Sequence, residues 1–200
     1  MLKERAEATA KRIGLSKIDS PVYGNCLVGI RFEIGEGDPF SCYKFRILNK
    51  KYFREAVHRA YTIYQNTPGT FDTLLWIIYP YGENTEEKLL DRFCEITSLP
   101  PPQERHSEIV PLEDDPDALL EEVRCYWDIQ AHPANIELLF KEIVKTDFGG
   151  FRELEYWVYF LDTKLNVLLN LYDDRGLDVA AESHDALAPL NEKYGDWIMG

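Results

Sequence analysis

The densest set of chemically capable side chains is Tyr172-Asp173-Asp174-Arg175-Gly176-Leu177-Asp178. Asp173, Asp174, Asp178 and Glu182 put four carboxylates within ten residues, and Asp162 stands in the preceding turn. A hard cation such as Ca²⁺ asks for about six oxygens or more in a suitably spaced loop. This run lacks the D-x-D-x-D-G spacing, and Arg175 sits in its middle. The spacing favours a tight turn, with Asp side chains accepting from backbone N–H groups and Arg175 ion-paired. The other reading open is a binding surface. No metal or other cofactor is expected.

Arg31 and Glu33 lie two apart in C-L-V-G-I-R-F-E-I, so on a strand they share one face. Exposed, they pair with neighbouring strands; covered, they join Arg175 or Asp178 in a buried polar network. Tyr126-Trp127, Tyr156-Trp157 and Tyr159-Phe160 form an aromatic set. Core packing is its ordinary use, but alternate members face the other side of their strands. Exposed Tyr and Trp there would mark a protein-binding patch. The candidate binding residues are therefore Arg31, Glu33, Tyr126, Trp127, Tyr172, Asp173, Asp174, Arg175 and Asp178. Catalysis by Ser183, His184 and Asp185 has no support, because consecutive side chains diverge at a helix start. The sequence holds no G-x-S-x-G, P-loop, G-x-G-x-x-G or H-E-x-x-H motif.

The elements that must position these residues are legible from the C-terminal end. Tyr156–Leu161 is aromatic and β-branched, and Asn166–Tyr172 is a second apolar run. With a polar turn between them they read as a β-hairpin. The Asp173–Gly176 turn follows, with Gly176 expected at φ > 0. Leu177–Ala181 adds a third strand, and Ser183 is placed to cap a closing helix that runs to about Trp197.

Upstream, Leu2, Ala6, Ala10 and Ile13 make one face of an amphipathic helix that Gly14 stops. Cys26–Ile34 alternates and reads as a strand, Gly35–Asn49 as a loop or irregular hairpin, and Lys50–Gln65 as a helix, with His58 at its surface or boundary. Thr73–Tyr79 is apolar without clean alternation, as in a central strand covered on both faces. A helix capped by Asn84 or Thr85 runs to Ile96. Ser107–Leu112 is a short strand that Pro111 places at an edge. Ala118–Val123 is a short helix or the approach to a strand at Val123–Ile129. Asn135 caps a helix from Ile136 to about Thr146, closed by Asp147-Phe148-Gly149-Gly150. The class is α+β: a mostly antiparallel sheet of about six strands ending in a three-stranded meander, with helices on one face. Residues 1–22 are read as a helix and link, and residues 23–200 as a single domain.

Composition narrows the function classes. The net charge of −13 argues against nucleic acid, whose phosphates need clustered Lys and Arg. Residues 1–60 carry 12 basic and 7 acidic side chains, and residues 61–200 carry 10 and 28. That acidic body would steer a basic protein partner towards it. No run approaches the ~18 apolar residues of a membrane span, and the charged N-terminus has no signal-peptide core. Four cysteines at 26, 42, 94 and 125 form no paired spacing, as in a reduced cytoplasmic protein.

Gly29-Ile30-Arg31-Phe32-Glu33, Lys145-Thr146-Asp147-Phe148, Val158-Tyr159-Phe160 and above all Tyr172–Val179 resemble the bacterial family called domain of unknown function 3885. Leu187-Ala188-Pro189-Leu190 and Asp196-Trp197-Ile198 extend the resemblance, which covers the chain from about residue 23. The hairpin, acidic turn, short strand and closing helix are also similar in layout to the tail of SMI1/KNR4-type domains. Many of those are immunity proteins that neutralise bacterial toxins, which implies a non-catalytic protein-binding role here, with a basic toxin as partner. The alternative is an enzyme or small-molecule-binding domain with a pocket around Arg31, Glu33, Asp174 and Arg175.

Overall fold

The computed structural model of the chain describes residues 1–19, 21–80, 85–111, 119–146, 148 and 157–199. The expected roles of Asn84, Leu112, Ala118, Asp147, Gly149, Gly150 and Tyr156 lie outside the described residues. Elsewhere the elements run α1 Leu2–Arg12, β1 Val28–Glu33, β2 Phe40–Cys42, β3 Ile47–Leu48, α2 Lys50–Asn66 and β4 Thr73–Ile78. They continue with α3 Thr85–Thr97, β5 Glu104–Pro111, β6 Leu119–Asp128, α4 Ile136–Ile143, β7 Val158–Asp162, β8 Val167–Leu171, β9 Gly176–Ala181 and α5 His184–Tyr194.

Seven strands form one antiparallel sheet in the order β1-β9-β8-β7-β4-β6-β5. The expected strands near 26–34, 73–79, 123–129, 158–161, 166–172 and 177–181 all lie in it, joined by β5 at the edge. The apolar run at Thr73 becomes β4, flanked by β7 and β6, with every residue buried. A strand with neighbours on both edges and cover on both faces has no use for polar alternation. β5 is an edge strand and ends on Pro111, whose missing N–H costs nothing there. Residues 119–123 are strand rather than helix, because β6 starts at Leu119.

Helices cover both faces of the sheet, a departure from the one-faced layer expected. α2, α3, α4 and α5 pack over Phe32, Leu74, Trp76, Phe160, Leu169 and Val179. On the opposite face, Leu2, Ala6, Ala10 and Ile13 of α1 and its exit settle on Leu75, Ile77, Tyr126, Tyr159, Leu161 and Leu168. Successive strand residues point to opposite faces, so fully apolar strands need both layers. Arg5 ties α1 down through a 2.7 Å ion pair with the buried Asp72.

The β7–β8 turn shows how the meander is pinned. Asp162 Oδ1 accepts from the N–H groups of Lys164 (2.9 Å) and Leu165 (2.8 Å), and Oδ2 accepts from Thr70 N–H at 2.6 Å. Asn166 then takes φ 53°, a conformation Asn tolerates better than most. Asn135 caps α4 through a 3.2 Å bond from Leu138 N–H. Ser183 holds the cap position of α5, but its side chain makes no capping bond.

Gly176 is not the left-handed turn residue expected; it opens β9 and has no positive φ. Its requirement is close approach: a Cβ there would run into the hydroxyl end of Tyr172.

Candidate functional site

The antiparallel register sets Arg31 opposite Asp178. Arg31 Nε donates to Asp178 Oδ1 at 2.7 Å and Nη2 donates to Oδ2 at 2.8 Å. The N–H of Tyr23 adds a third donor to Oδ2 at 3.0 Å. The guanidinium lies 5.0 Å from the Tyr23 ring centroid and 5.3 Å from that of Tyr172. The hydrogen bond to Asp178 raises the Arg31 pKa further above its ordinary value, despite partial burial. Arg31, Tyr172 and Asp178 therefore meet; of the Arg31–Glu33 couple only the half-buried Arg31 pairs with Asp178.

Within the turn, Asp173 and Arg175 bond one another. Asp173 Oδ1 accepts the Arg175 N–H at 2.7 Å, and Oδ2 accepts from Arg175 Nε at 2.8 Å and from Nη2. Asp174 accepts from the Tyr52 hydroxyl. Asp173, Asp174 and Asp178 are buried, so this turn is not an exposed acidic patch. Glu33 is exposed at the end of β1, opposite Gly176.

A cavity of about 380 Å³ opens beside Arg31, lined also by Tyr23, His184, Asp185 and Asn191. Glu33, Asp174 and Arg175 do not line it, so the expected four-residue pocket is not assembled there. Nor do Tyr126 and Trp127 form an exposed patch, since both are buried. Tyr126 faces α1, while Trp127 faces the other layer, stacks on Phe93 at 5.1 Å and donates its indole N–H to Pro100 O at 2.7 Å.

A different polar constellation lies on the α1 face. Glu122, 1% exposed, accepts from Arg124 Nε at 2.6 Å, Lys17 Nζ at 2.9 Å and the Tyr79 hydroxyl at 2.9 Å. Arg124 Nη2 donates to Ile18 O at 3.0 Å. Burial alone would raise the Glu122 pKa, but the Arg124, Lys17 and Tyr79 hydrogen bonds together outweigh it and hold the group at about 2. Burial pushes Tyr126 up to about 12 and raises Tyr79 and Tyr159 as well. The buried Tyr159 hydroxyl has no hydrogen-bond partner among the described residues.

Of these groups, Lys17, Ile18, Arg124 and Tyr126 line a groove of about 680 Å³ between α1, the Leu15–Ile18 link and β5–β6. Its residues come from distant segments, which sequence spacing cannot join. One signal was present: Glu122, Arg124 and Tyr126 share one face of β6, against Val123, Cys125 and Trp127 on the other.

The β2–β3 hairpin is the other conspicuous feature. Tyr43, Phe45 and Ile47 are 61%, 70% and 53% exposed. The exposed Lys44 and Arg46 interleave with them, and Lys50 follows.

Fold and sites together describe a three-layer α+β protein whose described polar clusters are held by ion pairs. The chain belongs to the family described as Domain of unknown function (DUF3885), whose model matches residues 10–200. It is also 38% identical over 55 residues to "Uncharacterized protein YnaE" of Bacillus subtilis (strain 168). That stretch covers 27% of this chain and 25% of the relative, so the likeness spans a quarter of that protein. No solved structure matches the chain.

Proposed function

We propose that this protein is a non-catalytic module that binds another protein, and most concretely an immunity protein that neutralises a bacterial toxin. The observation that supports binding is the β2–β3 hairpin, with three large apolar side chains held in water. Aromatic and aliphatic anchors flanked by Arg are the groups that dominate protein interfaces. The step from binder to immunity protein rests on the resemblance in layout, read from the sequence, to SMI1/KNR4-type domains. The acidic surplus of residues 61–200 fits a basic toxin; the hairpin supplies the apolar anchor, and its own charge is basic.

The test is co-expression with toxins encoded beside the gene, scored by growth. The wild-type chain is expected to relieve one such toxin and to bind it in purified form, more slowly as salt rises. A Tyr43→Ser, Phe45→Ser, Ile47→Ser variant should lose at least tenfold in affinity while its circular dichroism is unchanged. Equal affinity in a folded variant would remove the hairpin from the interface. Failure to relieve any neighbouring toxin would remove the immunity reading.

A further inference from the structure

The β2–β3 hairpin stands on a fixed base. The Asn49 N–H donates to Pro39 O at 2.8 Å, the Asn49 side-chain amide donates to Asp38 O at 2.9 Å, and the Ser41 hydroxyl donates to Ile47 O at 3.1 Å. At its root the Phe40 ring lies 5.5 Å from that of Phe148, which lies 4.8 Å from Phe53 of α2. Arg46 holds a left-handed conformation, φ 50° and ψ 39°, which glycine or asparagine would adopt at less cost. Groups fixed before binding lose less freedom on association.

Charge decides what such a hairpin would meet. Lys44, Arg46, Lys50, Lys51 and Arg54 are all exposed, and none makes an ion pair among the described residues. Lys44 and Arg46 lie instead over the Phe45 and Phe40 rings, at 5.6 and 5.9 Å. Residues 35–55 hold three carboxylates, and each is engaged. Glu36 and Glu55 both pair with Arg59, a sixth cation, and Asp38 accepts from the Tyr43 hydroxyl at 3.0 Å. The surplus is therefore cationic, and it surrounds three apolar side chains that keep more than half of their surface in water.

We propose that the surface receiving this hairpin on a protein partner is acidic: an apolar patch edged by Asp or Glu. Tyr43, Phe45 and Ile47 sit on the patch, and Lys44, Arg46 and Lys50 meet the carboxylates. This inference rests on the protein-binding reading and names the chemistry of the mating surface. The partner's overall charge is a separate matter, because physiological salt confines these attractions to about 8 Å.

The probes are two synthetic amphipathic helices with the same leucine face, one flanked by Glu and the other by Lys, and vesicles of phosphatidylglycerol. Each is titrated into the full chain and read from the amide chemical shifts of residues 40–51, so contacts with the acidic body do not count. The Glu-flanked helix is expected to bind there at least tenfold more tightly than the Lys-flanked one. A chain of net charge −13 would show the opposite order if overall charge decided. The Tyr43→Ser, Phe45→Ser, Ile47→Ser variant should lose this binding. Lys44→Glu with Lys50→Glu, two exposed changes, should reverse the preference, and Lys11→Glu on α1 should leave it unchanged. Equal binding of the two helices at the hairpin, or binding of neither, overturns the acidic surface and leaves the protein-binding reading to the toxin assay. Tighter binding to the vesicles than to either helix overturns both, since the hairpin would then serve a lipid surface.

Discussion

Arg31 and Asp178 stand directly opposite one another on neighbouring strands, and two bonds of 2.7 and 2.8 Å join them at the sheet's edge. The pair does structural work for two segments at once. Asp178 also receives the Tyr23 N–H, so the chain entering β1 is fixed by the carboxylate that fixes the strand. Asp178→Ala would strand a part-buried guanidinium and an amide. Breaking a buried pair from one side costs about 3–5 kcal/mol; Arg31 keeps some solvent contact, so a loss of about 3 kcal/mol is expected. Arg31→Lys should also destabilise, because one ammonium cannot make both bonds or stack as a plane. Urea denaturation measures both. A change under about 1 kcal/mol for Asp178→Ala would show that solvent replaces the pair freely.

Gly176 supplies a second prediction. A methyl group at this position meets the end of the Tyr172 ring, which itself lies under Arg31. Gly176→Ala should therefore cost about 1–3 kcal/mol through displaced packing. Shortening the ring should relieve the clash, so Tyr172→Ala and Gly176→Ala should couple in a double-mutant cycle. Additive losses would mean that the two residues do not press on one another.

The contrast between these two positions explains what could be read in the sequence. The meander was legible because β7, β8 and β9 are local, and their apolar runs and turn residues lie within 25 residues. The Asp173–Arg175 turn was legible for the same reason. Gly176 was not, since a glycine that avoids a ring and a glycine that adopts positive φ look alike in a sequence. The charge of the turn was legible but its burial was not, because Tyr52 reaches Asp174 across 122 residues. The groove was hidden most fully: Lys17, Tyr79 and Glu122 meet only once α1 lies across the sheet. That choice of face was missed, because the apolar stripe of α1 says that it packs and not where.

Thiol chemistry offers a third check. The four cysteines are free, and Cys125 is buried in β6, where burial pushes its thiol up to about 12. The thiolate is the reactive form, so Cys125 should resist iodoacetamide in the native protein. Cys42, half-buried in the β2 strand, should label first. Mass spectrometry of native and urea-unfolded samples reads the difference. Rapid native labelling of Cys125 would mean that β6 opens readily near α3.

The last prediction concerns acid. The Glu122 carboxyl sits at about 2 in the folded chain, against an ordinary value of 4.5. A depressed folded value means that the unfolded chain binds the proton more tightly. Its contribution to stability is therefore complete above about pH 4.5 and is lost as pH falls through about 2. Glu104, which caps the start of α1 through the Leu2 and Lys3 N–H groups, is also lowered and acts in the same direction. Glu122→Gln removes one titration and leaves Arg124 and Lys17 without their charged partner. The variant should be less stable at neutral pH, and its stability should fall less steeply than wild type between about pH 4.5 and pH 2. Denaturation midpoints at a series of pH values measure both effects. The residual slope in the variant belongs to Glu104 and the other carboxylates, so Glu104→Gln in the same background should flatten it further. Parallel curves for wild type and Glu122→Gln would show that Glu122 keeps an ordinary pKa in the folded chain. The Lys17–Glu122–Arg124 triad would then be solvated rather than a buried anchor for the α1 face.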